Sequence, residues 1–456
     1  MKHSVLRFCI LAVVLTAIAA FGTDSRKPNM IFIMVDDAGL GDFGCYGGKH
    51  IPTPNVDRLA KEGMLFSNAY SGSAVCAPTR ATLMTGRHTG HNQRRANNSK
   101  DGLIHLADDE VTVAEVLKKA GYATGGFGKW GLGNPNTSGV PEKQGFDVFF
   151  GYYDQKHAHD YYTDHLIRNS ERVPLPGNAD GKRTQYSHDL VADETLKFIE
   201  QNKDKPYFAY AAWTLPHGKY EIPSNAPFDK KPWPEQVRNY AAMIARIDTD
   251  VGRLVAKLKE LKLDKNTLVF FTSDNGANAP FVEPLGSSAG LRGIKRDLHE
   301  GGIRAPFIAW WPGKIRAGTR SDLLTSHVDF LQTAADIAKV EAPKNVDGIS
   351  ILPTLLGKPQ SVKHDFLYWE IYEGPSPFQQ AVRYINWKGY RTALKGPLEL
   401  YNLESDPAES KDISKGHPEI VKQIEGIMAQ EHISSPHWIP TVDPQKTAAK
   451  KKAKKS

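Results

Sequence analysis

The run Asn29-Met30-Ile31-Phe32-Ile33-Met34-Val35 is almost wholly apolar and stops abruptly at Asp36-Asp37. An alternating pattern would mark a strand with one wet face; an unbroken apolar run bounded by acids marks a strand buried on both. The same texture recurs at Pro206–Trp213 and at Thr267–Thr272, and the second of these ends in Ser273-Asp274-Asn275-Gly276. Further strands are expected at Met64–Ala69, Tyr122–Phe127 and Ala305–Trp310. Helical periodicity is expected near Asn55–Glu62, Val111–Ala120, Pro234–Leu261 and Val328–Ala338. Strands alternating with helices predict a mostly parallel sheet covered on both faces, with ligands beyond the carboxyl ends of its strands. Asp36-Asp37 and Asp274-Asn275 end two such strands, so they should meet in space although they are far apart in the chain.

After Lys344 the texture changes to short polar strands, Asp365–Glu370, Ala381–Asn386, Tyr390–Leu394 and Glu399–Leu403, then a helix near His417–Gln430. The expected fold class is therefore α/β: a large, mostly parallel mixed sheet sandwiched by helices, plus a small C-terminal antiparallel subdomain with one helix. The expected organisation is a secretory signal over 1–20, a catalytic α/β domain over 21–345, a C-terminal α+β subdomain over 346–440 and a lysine-rich tail over 441–456. The signal reading rests on Lys2 and Arg7 ahead of an apolar run that is short for a membrane span and closes on Ala17 and Ala19. It implies an exported protein, periplasmic or secreted, with no membrane span.

The formal charge of +7 belongs to the two ends: without Lys2, Arg7 and the six lysines after Gln445, the body sits at about −1. A nucleic-acid groove is not expected from such a body. Cysteine usage is equally sparse. Cys9 lies in the signal, leaving Cys45 and Cys76, which either pair with each other or leave Cys76 free for chemistry.

Asp36, Asp37, Asp274 and Asn275 offer only oxygen donors, and no histidine cluster adjoins them in sequence. Such a set suits a hard dication, calcium ahead of magnesium, rather than zinc. Pro78 suits the first turn of a helix beginning at Cys76, where the helix dipole and Arg80 are expected to acidify the thiol. A soft thiolate is a poor partner for a hard ion.

That mismatch has a resolution in a family pattern. Cys76-Ala77-Pro78-Thr79-Arg80, followed by Leu83-x-Thr85-Gly86-Arg87, resembles the signature of type I sulfatases of the alkaline phosphatase superfamily. The resemblance implies that a separate maturation enzyme oxidises Cys76 to Cα-formylglycine (3-oxoalanine), whose hydrated form attacks the sulfur of a sulfate ester. It runs in order through nearly the whole chain: Asp36-Asp37-x-Gly39, Gly128-Lys129-Trp130, Pro216-His217, Ser273-Asp274-Asn275-Gly276, Leu291-Arg292-Gly293-Ile294-Lys295, Glu300-Gly301-Gly302-Ile303-Arg304 and Leu400-Tyr401-Asn402-Leu403. The roles it implies are a calcium site at Asp36, Asp37, Asp274 and Asn275, with residue 76 also on the ion. Lys129 and Lys295 would bind sulfate oxygens, Arg80 would hold the hydrated aldehyde, and His217 would protonate the leaving oxygen.

One position departs from the pattern. Many members read Gly-Lys-Trp-His-Leu-Gly, whereas this chain has Gly131 where the histidine stands. His157, His159 and His88 are the candidate substitutes, and the His/Tyr-rich stretch 157–165 is expected to face a sugar, with His157 and His159 as substrate contacts. The expected activity is hydrolysis of sulfate monoesters, on sulfated carbohydrate. The competing readings are a phosphate or phosphonate monoester hydrolase on the same fold and a non-catalytic carbohydrate-binding relative.

Overall fold

The computed structural model describes residues 26–100 and 102–442. The expected signal therefore lies outside the described residues, as does the lysine-rich tail from 443 onward.

In chain order the strands are β1 Asn29–Val35, β2 Met64–Phe66, β3 Ala69–Tyr70, β4 Ala123–Lys129, β5 Val148–Tyr152, β6 His165–Arg168, β7 Glu171–Pro174 and β8 Tyr207–Ala212. They continue as β9 Thr267–Ser273, β10 Phe307–Trp310, β11 Thr319–Ser321, β12 Thr325–Ser326, β13 Phe366–Ile371, β14 Gln379–Tyr384, β15 Trp387–Arg391 and β16 Glu399–Asn402. Ten of these form one sheet in the order β11-β2-β10-β9-β1-β8-β4-β5-β6-β7. Its centre, β9-β1-β8-β4-β5, is parallel throughout, and antiparallel β10 and β6 flank it.

β1 lies between β9 and β8 and all its residues are buried, which is why its sequence shows no alternation. The pleat divides it between two cores. Ile31, Ile33 and Val35 face one side, which holds Val56 and Leu59 of the helix Pro54–Glu62 and Tyr240, Ile244 and Ile247 of the helix Glu235–Glu260. Met30, Phe32 and Met34 face the other, with Leu83 and Met84 of the helix Cys76–Thr85 and Phe330, Leu331 and Ala334 of the helix Asp329–Ala338. Alternate burial against two helical layers makes this the expected sandwich.

The expected elements fall within a few residues of those observed. Elements without a sequence assignment also occur: β5, the hairpin β6–β7 over 165–174, and the helix Ser187–Gln201. The C-terminal sheet β13-β14-β15-β16 is antiparallel, and the helix Pro418–Gln430 packs Ile424 and Met428 on Val382 and Leu400. Its other side shares a core with Tyr70, Ala74 and Val75, placing Trp369 and Ile371 beneath the approach to Cys76. Lys388 of β15 crosses this junction, fully buried between Glu300 (3.1 Å) and Glu409 (3.3 Å). Among the described residues no helix is long and apolar enough to cross a membrane.

Candidate active site

Four parallel strands deliver the site. β1 runs into Asp36-Asp37, β9 into Asp274-Asn275, β4 ends at Lys129, and β8 leads through Trp213 to His217. Because the strands are parallel, all four tips open at one edge of the sheet. Their loops are stitched together by the Asp274 N–H on the Val35 carbonyl (3.0 Å) and the Asp36 N–H on the Leu215 carbonyl (2.9 Å). The Lys295 loop is tied to Ala277 and, through Arg296 N–H, to the carbonyl of Ala74. Cys76 opens its helix directly against these tips; Asn97 Oδ1 accepts the N–H of Ala77 (3.1 Å).

The convergence expected from sequence is realised. Cys76 Sγ lies 3.3 Å from Asp36 Oδ1 and 3.9 Å from Asn275 Oδ1. Asp37 N–H donates to Asp274 Oδ1 (3.1 Å), and Asn275 Nδ2 donates to Asp37 Oδ1 (2.9 Å). These contacts hold Asp37 at φ +70°, a left-handed conformation that costs a non-glycine residue on the order of 1–3 kcal/mol. Gly276 completes the turn where nothing larger fits, since a Cβ there would lie 1.9 Å from the carbonyl oxygen of Gly301.

Three buried cations face the three buried carboxylates. Arg80 Nη2 bridges Asp36 (3.2 Å) and Asp274 (3.1 Å), while its Nη1 donates to the Lys129 carbonyl (2.8 Å) and to the hydroxyl of Tyr210 (3.4 Å). Lys129 Nζ lies 2.6 Å from Asp36 and Lys295 Nζ 2.7 Å from Asp37. His217 Nε2 is 3.4 Å from Asp37 Oδ2, and the His159 ring stacks on His217 at 4.2 Å.

Burial alone would push Asp36 up, but Lys129, His217, Arg80 and Lys295 more than reverse that and hold it well below the usual carboxylate range. Asp274 goes the other way, raised by burial and by Asp36. Burial opposes the charges of Lys129 and Lys295, yet Asp36 and Asp37 more than offset it and both lysines stay protonated. Burial lowers His217 to about 3 in spite of Asp37, and lowers His159 to about 4 with help from Lys129.

One expectation is corrected here. The Cys76 thiol is not acidified: burial, Asp274 and Asp36 push its pKa well above normal, outweighing the helix start and the nearby cations. Of the two alternatives for the cysteines, the unpaired one holds: Cys45 and Cys76 are both free, and the Cys45 N–H is engaged by Asp57. Burial also disfavours the charged form of His217.

The candidate substitutes for Gly131 separate. His159 joins the cluster. His157 does not, because its Nε2 bonds Thr163 Oγ1 (2.7 Å) and its ring stacks on His165. His88 is bound to Glu431 (3.1 Å), accepts the N–H of Gly90 and stacks on His91. Supporting residues absent from the sequence reading include Tyr210, Asn97 and Tyr161, whose hydroxyl donates to the Thr214 carbonyl (2.9 Å) and so fixes the turn before His217. Nothing local in the sequence marks them; their roles come from segments distant in the chain.

Asp36, Asp37, Cys76 and His217 each bring a ligand atom within 4.8 Å of the others, and with the oxygens of Asp274 and Asn275 beside them the set is dominated by oxygen, which fits a hard dication better than a soft one. The thiol of Cys76 is the one soft donor among them.

Comparison with known proteins agrees with this geometry. The sulfatase family profile matches residues 28–340, and the profile described as N-sulphoglucosamine sulphohydrolase, C-terminal, matches 294–433. Human arylsulfatase A is 32% identical over 476 aligned residues, covering 91% of this chain and 90% of that protein. The N-acetylgalactosamine-6-sulfatase of Canis lupus familiaris is 34% identical, covering 75% of this chain and 69% of its own. The crystal structure of Ps i-CgsB in complex with k-i-k-neocarrahexaose superposes with a TM-score of 0.78 at 28% identity, covering 93% of this chain and 96% of that one. A strand-tip cage of buried acids, two lysines reaching into it and a cysteine at a helix start, in a chain matched by the family over most of its length, make this protein a type I sulfatase, a hydrolase of sulfuric esters.

Proposed function

We propose that the substrates are sulfate monoesters on carbohydrate, that residue 76 works as formylglycine made from Cys76, and that the ion at Asp36, Asp37, Asp274 and Asn275 is calcium. The observation that carries this reading is Cys76 Sγ at 3.3 Å from Asp36, inside a cluster of three acids and three cations, all buried. With all groups ionised, Asp36, Asp37 and Asp274 balance Arg80, Lys129 and Lys295, and protonation of Asp274, whose pKa is raised, only adds positive charge. A dication would leave a net positive site, which favours an anionic ester. The carbohydrate assignment draws support from the sugars named for the relatives and from His159, which brings the aromatic turn after β5 against His217.

A bound calcium ion would supply Lewis-acid polarisation of a sulfate oxygen. The matured side chain would supply an oxygen nucleophile in place of an unreactive, high-pKa thiol. Around these, Lys129 and Lys295 present ammonium groups to sulfate oxygens, and fixed charges of this kind are usually the largest catalytic term. Arg80, locked by Asp36 and Asp274, fixes the orientation of the helix start. His217 offers an N–H to the leaving oxygen, and His159 covers its ring and excludes water from that side. Export to the periplasm or medium, and processing by a formylglycine-generating enzyme, complete the proposal.

The test is a desulfation screen of defined sulfated sugars, beside an aryl sulfate and an aryl phosphate, with the intact mass of residue 76 measured in the same preparation. Turnover by material whose residue 76 is still cysteine, or faster cleavage of phosphate than of sulfate, would count against it.

A further inference from the structure

The backbone after Lys129 keeps pairing with the chain after β5: Trp130 N–H bonds the Tyr152 carbonyl (2.9 Å) and Gly131 N–H bonds the Tyr153 carbonyl (3.0 Å). This register lays Gln155 over Gly131. Gly131 has φ +75°, and a Cβ built on it would lie 2.2 Å from Gln155 Nε2 and 3.0 Å from its Cδ. The carboxamide therefore occupies the space through which any side chain at 131 would have to leave the backbone. Asp154 Oδ1 accepts the N–H groups of Lys156 (2.8 Å) and His157 (3.0 Å), fixing the turn that carries Gln155 on one side and His159 on the other. Gln155 thus packs on Gly131, two residues after Lys129, and precedes by four residues His159, whose ring stacks on His217.

Its Nε2 is buried and has no hydrogen-bond partner. A buried donor left unpaired is destabilising and rare unless a ligand or water completes it. An amide N–H can only donate, so the missing partner is an acceptor, and the anionic ester proposed for this site carries several acceptor oxygens. We infer that Gln155 is a substrate-binding residue whose Nε2–H donates to an oxygen of the bound sulfate group, an arrangement that needs Gly131 to leave the space open. The inference rests on the sulfate reading of the site. It adds a contact made by a neutral amide, which moves no proton.

The test is Gln155→Leu, with Gln155→Glu beside it, in matured, calcium-loaded enzyme. Loss of one hydrogen bond to a charged group should lower kcat/KM for 4-nitrophenyl sulfate by about tenfold to a hundredfold. It should weaken inorganic sulfate, read by thermal shift, by a similar factor. Gln155→Glu, which sets a carboxylate against the anion, should lose more. Because Leu removes an unpaired buried donor, its melting temperature without sulfate should equal or exceed that of the wild type, whereas a merely structural glutamine would lower it. Gly131→Ala should displace the amide, and Gly131→Ala with Gln155→Ala should lose no more than the worse single variant. Unchanged sulfate affinity in Gln155→Leu, or a loss that tracks a fall in melting temperature, overturns the assignment. If wild-type enzyme shows no stabilisation by sulfate, the sulfate reading itself falls, and this contact with it.

Discussion

Replacing Lys129 by methionine tests the electrostatic logic of the cluster. Lys129 Nζ is 2.6 Å from Asp36 Oδ2 and both side chains are buried. Unit charges at that distance attract by about 6 kcal/mol at an effective dielectric constant of about 20. Desolvation offsets part of this, and removing one member of a buried pair costs about 3–5 kcal/mol. Asp36 keeps Arg80 at 3.2 Å, so the lower end of that range applies. A loss of about 3 kcal/mol is a large share of a typical folding stability of roughly 5–15 kcal/mol. Without Lys129 the carboxylates keep one counter-charge fewer, so a dication should bind more tightly and restore more stability than it adds to wild type. Catalysis should move the other way, with kcat/KM down about 10²–10³-fold from the loss of one charge-stabilising donor. The assay is guanidinium unfolding in chelator and in calcium, with aryl sulfate turnover alongside. Equal stability of Lys129→Met and wild type in chelator, or equal stabilisation of both by calcium, would refute the reasoning.

Cys76→Ala should abolish turnover while leaving calcium-dependent stabilisation in place, because the acids that hold the ion remain; retained activity on the best substrate would remove residue 76 from the chemistry. Lys388→Met should destabilise the folded chain by about 3–5 kcal/mol, since it leaves Glu300 and Glu409 buried without their shared cation; an unchanged unfolding midpoint would show that the junction does not depend on it. His364 Nε2 lies 2.7 Å from Asp329 Oδ1, and although burial works against its charge, Asp329 raises its pKa above the ordinary histidine value. A raised folded-state pKa stabilises fully below the unfolded value of about 6.5 and fades as pH climbs through the folded value. Wild type should therefore lose stability relative to His364→Gln as pH rises past neutrality, and a difference independent of pH would count against the ion pair.

Much of this was legible in the chain because the physics involved is local or strictly periodic. A short, unbroken apolar run such as Asn29–Val35, bounded by acids, favours a strand covered on both faces, and parallel strands put their acidic ends at one edge. Together these two facts bring Asp36-Asp37 to Asp274-Asn275. Lys129, His217 and Lys295 entered through family resemblance; considered one at a time, a lysine or a histidine in a loop carries no such signal. The hairpin β6–β7 has no comparable signal, because its alternation is weak and its outer strand β7 is largely exposed.

Tertiary structure alone decided the rest. Ionisation depends on burial and on charges from distant segments, so the same helix start that should acidify Cys76 leaves it a high-pKa thiol once Asp36 and Asp274 close around it. The fates of His157, His159 and His88 were likewise settled by register: a few residues separate the imidazole stacked on His217 from the one turned back onto Thr163. The pairing of Gly131 with Gln155 has no sequence signature at all, because an empty space and the side chain filling it come from different strands, and only packing brings them together.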